Sequence, residues 1–206
     1  MIAYKFLRSG RLGPFSGFHW PDAGVWVRTG EDRACGRAGI HACRVRDLPW
    51  WLADELWEIE LEGESDVYEH KIIARAGRLR SRVEAWTTAC ADEYAEACAW
   101  RARERAIEAL GRAGHESAAV RLGASGTLKE LRTMAGHLAD ERPDTRISLL
   151  MAQDAADCAR IHAAPTAAYI AAHAARRIDG PPGYDAERDW QSSWLARRLR
   201  LDHGAA

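Results

Sequence analysis

The chain has 206 residues, enough for one large domain or two small ones with a substantial core. It carries 29 basic against 30 acidic residues, and the first 86 residues alone hold 13 of each sign, so neither part shows the basic excess of a nucleic-acid binder. No apolar run approaches the roughly 20 residues of a membrane span, so the expected partners are a small molecule or another protein, not nucleic acid or membrane.

In chain order, strands are expected at Ile2–Leu7, Val25–Arg28 and Ile40–Cys43. Between the first two, Gly10, Gly13, Pro14 and Gly17 mark the Ser9–Gly17 stretch as a loop. That loop lacks the Lys-Ser/Thr ending of a phosphate-binding P-loop. A short helix is expected next, with Asp47 as N-cap, Pro49 in its first turn and Trp50 to Glu55 as its body.

Leu56–Glu62 then alternates Trp57, Ile59 and Leu61 with Glu58, Glu60 and Glu62, the period of a strand with one buried and one acidic face. Lys71–Ala74 is a further strand. Gly77–Trp86 shows the complementary pattern, with Arg78, Arg80 and Arg82 on one face. An acidic and a basic row of equal period predict neighbouring strands joined by cross-strand ion pairs.

Beyond Trp86 the sequence becomes rich in Ala, Arg, Glu and Leu. A long helix is expected over 88–111. Thr127-Leu-Lys-Glu130 is a capping box for the next helix. Pro143 and Asp144 open a third and Pro165 and Thr166 a fourth, which Gly180-Pro-Pro-Gly183 closes. Residues 186–200 form a last amphipathic helix with Trp190, Trp194, Leu195 and Leu199 inward. The pattern predicts an α+β fold: a small, mainly antiparallel sheet domain over 1–86 packed on an Ala-rich helical bundle over 87–206.

The five cysteines, Cys35, Cys43, Cys90, Cys98 and Cys158, follow no disulfide-framework spacing. With Met1–Lys5 running straight into strand-like sequence, they imply reduced thiols in a cytoplasm.

Gly39-Ile-His-Ala-Cys43 carries a resemblance. With Tyr4-Lys5-Phe6, Pro49-Trp50-Trp51, Trp57–Gly63 and Lys71–Ala74 in this order, residues 3–86 resemble an uncharacterised bacterial and phage domain with a Gly-Phe/Ile-His-Ala-Cys signature. That family implies a domain and no activity. Ala163–Ala175 and Glu187–Gln191 are similar to Ala-rich helices of putative bacterial immunity proteins. A further likeness, to the ADP-ribosyltransferase fold, implies that Lys5–Arg8 offers a polar group to NAD, with Ile40–Cys43 and Trp50/Trp51 beside the nicotinamide. No Glu of this chain matches that fold's catalytic Glu.

His41 and Cys43 lie two apart on a strand and so share a face. Such a pair supplies a base and a nucleophile, zinc ligands, or a hydrogen-bonded core His beside a small thiol. A Cys-x₂-Cys pair is absent, and no metal is expected. His19, in Phe18-His19-Trp20-Pro21, is the second acid–base candidate. Trp20, Trp50, Trp51, Cys43 and Arg8 are the candidate ligand-binding residues. Cys158 and His162, with Asp154, have helical metal-ligand spacing; a core thiol and a solvated His fit the same positions. Two functional classes follow. One is a binding module with a Trp/His-rich pocket; the other is an enzyme that, by the ADP-ribosyltransferase likeness, acts on NAD or a related nucleotide with His41 and His19 as its acid–base pair. No cofactor is identified.

Overall fold

A computed structural model describes residues 1–29 and 39–201, so Cys35 lies outside the described residues. The fold is α+β, with a small antiparallel sheet followed by helices. The chain divides into two compact units. One is Met1–Thr87 with Ser192–Ala206; the other is Thr88–Gln191. Among the described residues, no helix is long and apolar enough to cross a membrane.

The sheet is made of β1 (Ile2–Leu7), β2 (Val27–Arg28), β3 (Ile40–Ala42), β4 (Glu55–Val67) and β5 (Ile72–Arg82). β4 pairs with β1 on one side and β5 on the other, and β5 also carries β2 and β3. Just after β3, Cys43 exchanges two backbone hydrogen bonds of 2.8 Å with Tyr4 of β1. That one bridge closes β1, β4, β5 and β3 into a ring. Irregularities in β4 at Glu58/Ile59 and Glu62/Ser65 provide the bend that such closure requires. Ala3, Leu7, Ile40, Ala42, Ile59, Leu61, Ile72, Ala74 and Leu79 pack together with Trp20 as one apolar core.

The opposed charge rows pair as their period predicts. Arg78 reaches Glu60 at 2.8 Å and Arg80 reaches Glu58 at 3.1 Å, while Glu62 takes Arg28 of β2. Lys71–Ala74 and Gly77–Trp86, read as two strands, share one, β5. Gly77 is no break in it: an added Cβ would lie 3.1 Å from Ile40 and 3.2 Å from Leu61, so glycine lets three strands pack closely there. Val83 to Trp86 instead form a turn closed by the Val83 carbonyl and the Trp86 N–H.

The helix expected over Trp50–Glu55 is a 3₁₀ helix at Val45–Trp50. Asp47 lies inside it, and its carboxylate accepts from the backbone and side chain of Arg44. β4 already begins at Glu55, whose carboxylate accepts from Gly10 N and Trp57 Nε1.

The helices are α1 (Thr88–Arg112), α2 (Glu116–Gly123), α3 (Leu128–Glu141), α4 (Arg146–Arg160) and α5 (Ala164–Leu199). Ala and Leu from α1 to α4 form their core. The capping box forms as predicted, with Glu130 N donating to Thr127 and Thr127 N to Glu130. α2 has no counterpart in the sequence reading; it is one short helix following Gly114. Gly180, at φ 70°, breaks α5 between its two halves, and the second half begins at the prolines rather than at 186. Trp190 and Trp194 are half-buried there, while the polar Glu187, Arg188 and Gln191 are buried.

Candidate functional site

The Ser9–Trp20 loop doubles back on itself. Arg8 and Leu12 exchange backbone hydrogen bonds, Gly13 N donates to Phe18 O, and Trp20 N donates to Arg11 O. Gly10 and Gly17, at φ 76° and 67°, make the reversals that an L side chain resists. The loop brings Pro14, Phe15 and Phe18 over the side of the ring where β1 and β3 part beyond the Tyr4–Cys43 bridge.

A cavity of about 520 Å³ opens there, in the usual size range of small-molecule pockets. Phe15, Phe18 and Trp20 form aromatic wall, and Lys5, Arg28 and His41 are its chargeable groups. A second, smaller space of about 50 Å³ adjoins Lys5 and His41 and includes Cys43 and Trp51. No carboxylate lines either space among the described residues.

Lys5 falls between Ala3 and Leu7 in the alternation of β1 and therefore points to the apolar core face. Its amine donates to the His41 carbonyl and lies 5.1 Å from the Trp20 ring centroid. Burial brings its pKa down from 10.5 to about 8. His41 is half-buried, and its Nε2 is buried with no hydrogen-bond partner in the described structure. Burial, followed by the nearby Lys71 and Lys5 charges, lowers its pKa, so the ring is neutral near pH 7. The other two such nitrogens that have no partner, Arg11 Nε and Arg142 Nε, line neither space.

Cys43 shares the smaller space with His41, as their spacing predicts. Burial and Asp47 push its thiol far up, so it stays protonated and is neither thiolate nucleophile nor thiolate ligand. Trp20 and Trp51 each line one space. Trp51 donates to the His70 carbonyl at 2.6 Å and meets Phe15 edge-on. Trp50 stacks on the His70 ring at 3.8 Å and lines neither space. His19 and Arg8 are exposed and also lie outside both; His19 forms an isolated bridge with Leu12.

Cys158 and His162 do not share a helical face, because α4 ends at Arg160 and His162 adopts φ 61°. The His162 ring meets Asp92 at 2.7 Å instead. No cluster of three metal-ligating side chains occurs among the described residues. None of Cys43, Cys90, Cys98 and Cys158 is in a disulfide.

From the sequence, Phe15 and Arg28 were not pocket candidates, and Lys5 entered only within the Lys5–Arg8 segment that the ADP-ribosyltransferase likeness sets beside NAD. A signal for Lys5 was present: one lysine between Ala3 and Leu7 on an apolar strand face, in a chain with three lysines among its 29 basic residues. Compared with known proteins, the chain matches no family model, no curated protein and no solved structure.

Proposed function

We propose that this is a cytoplasmic ligand-binding protein whose ligand occupies the cavity between the Ser9–Trp20 loop and the parted strands β1 and β3. The observation that carries the reading is His41 Nε2, a buried polar atom without a partner among the described residues, on a side chain that lines a mostly apolar cavity. Leaving such a group unsatisfied costs about 1–3 kcal/mol, which a bound ligand's hydrogen bond would offset. The cavity chemistry fits a small molecule with a flat apolar body against Phe15, Phe18 and Trp20. An acceptor or anionic group on that molecule would face Lys5 and Arg28.

The ADP-ribosyltransferase reading stands second, because among the described residues no carboxylate lines the cavity for the role of the catalytic Glu. The resemblance of residues 3–86 to the bacterial and phage domain implies no activity and favours neither reading.

A panel of aromatic carboxylic acids, read by saturation-transfer NMR, tests the proposal. Members of the panel should bind the wild-type chain and bind Phe18→Ala at least tenfold more weakly. Signals that are absent across the panel, or unchanged in Phe18→Ala, would count against this pocket. A stably bound metabolite would also appear in native mass spectrometry as mass lost on denaturation.

A further inference from the structure

We propose that Lys5 is a carbonyl-capturing amine, which holds an aldehyde or ketone in this cavity as an imine. The inference rests on the binding reading above and goes beyond it by naming the bond and the class of compound.

The chain supplies 29 basic side chains with only three lysines, Lys5, Lys71 and Lys129. At a position that needed only a buried positive charge, arginine would serve with more donors and weaker hydration. Arginine cannot become a neutral amine, whereas lysine can. Lys5 stands on the core face of β1, its amine faces the cavity wall beside Trp20, and it has no carboxylate partner there among the described residues. With its pKa at about 8, roughly one tenth of the amine is neutral at pH 7, about three hundredfold more than for an ordinary lysine.

The second element is a proton carrier. His41 lines the same cavity with a neutral ring and a buried, unpartnered Nε2. Cys43 stays a thiol and does not compete as nucleophile. The third element is the aromatic wall, which suits a conjugated or aryl carbonyl compound; Arg28 lines the same cavity while paired with Glu62.

The step balances without an outside oxidant or reductant. The lone pair on Lys5 Nζ forms a C–N bond to the carbonyl carbon while the C=O π pair moves to oxygen. One amine proton passes to that oxygen, giving a carbinolamine. The second nitrogen proton follows by way of His41, the C–O bond breaks, water leaves, and the nitrogen lone pair completes C=N.

The probe is 4-carboxybenzaldehyde, incubated at pH 7 with the full chain and sodium cyanoborohydride. The reduced adduct is then located by peptide mass spectrometry. Lys71, Lys129 and the N-terminal amine serve as internal controls. Lys5 should label at least tenfold faster than the other two lysines, and His41→Gln should slow Lys5 labelling about tenfold or more with no change at Lys129. Labelling of Lys5 no faster than that of Lys129 overturns the proposal. Binding of 4-(hydroxymethyl)benzoate, which has no carbonyl to capture, is measured in parallel by saturation transfer. If this analogue binds and Lys5 is not trapped, the pocket stands and the imine falls; if neither occurs, both fall. A circular-dichroism melt of His41→Gln keeps loss of fold separate from loss of proton transfer.

Discussion

In the helical unit Arg101 is set against Glu187, which is fully buried, through three hydrogen bonds of 2.6 to 3.2 Å. Nearby Arg188 donates to Gln191, and Gln191 donates to the Ala168 carbonyl. In the sheet unit the amine of Lys5 has only a carbonyl and an aromatic ring, and His41 Nε2 has no partner in the described structure. The buried polar groups of the helical unit close on each other, whereas Lys5 and His41 of the sheet unit, unlike its paired Glu and Arg rows, line a cavity. The first arrangement ties helices together; the second is the one that the proposed ligand would complete.

Removing the cation should therefore have opposite effects in the two units. Arg101→Ala leaves the Glu187 carboxylate buried without its partner. The loss should be about 3 kcal/mol, the low end for a broken buried pair because Arg101 keeps 30% of its side chain exposed. Urea denaturation followed by circular dichroism reads it, and a loss under 1 kcal/mol would remove the contrast.

Lys5→Met should instead gain about 1–3 kcal/mol at pH 7, since it removes a charge that burial disfavours. The sign follows from the lowered pKa. Between pH 8 and 10.5 the unfolded chain holds more of this proton than the folded one. Wild-type stability from this group thus rises with pH through that window, and below it the penalty is complete. The titratable groups that bear on Lys5 are Cys43 and His41, and among the described residues no carboxylate lines the spaces around it. Lys5→Met should lose this rise, and a destabilised Lys5→Met would mean that the amine is structural.

Smaller effects sharpen the picture. Thr127→Ala opens the capping box of α3 and should lose about 1 kcal/mol, read by the same denaturation. Glu60→Gln breaks a half-exposed cross-strand pair with Arg78. It should lose only about 0.2–1 kcal/mol, with less difference from wild type at high salt.

The features legible in the sequence are those with a short repeat or a local partner. The alternation in Leu56–Glu62, the opposed Glu and Arg rows and the Thr127–Glu130 capping box need only neighbouring residues to be recognised. The pairing of Tyr4 with Cys43 spans 39 positions and leaves no periodic trace, so ring closure was not legible. The short helix was misplaced because Asp47 and Pro49 suit the start of an α-helix, whereas Asp47 here binds back to Arg44 within a 3₁₀ helix. The burial of Glu187 and Gln191 leaves no local trace, because the Arg101 and Ala168 partners that make it tolerable lie far along the chain. His41 and Cys43 were found by spacing. Lys5 was found by structure, since a charge on an apolar strand face is visible in sequence but its surroundings are not.

Ring closure also bears on how the sheet meets other molecules. A flat sheet of this size would present two lateral strands whose free N–H and C=O groups could recruit another chain by strand addition. Here β1 and β3, which would be exposed in that way, are joined through Tyr4 and Cys43, and β2, beside β3 on β5, is only two residues long. The template for self-association is thus interrupted on that side, and the parting of β1 from β3 is covered by aromatic side chains of the Ser9–Trp20 loop. The seam proposed to admit a small guest is closed to strand addition at Tyr4 and Cys43.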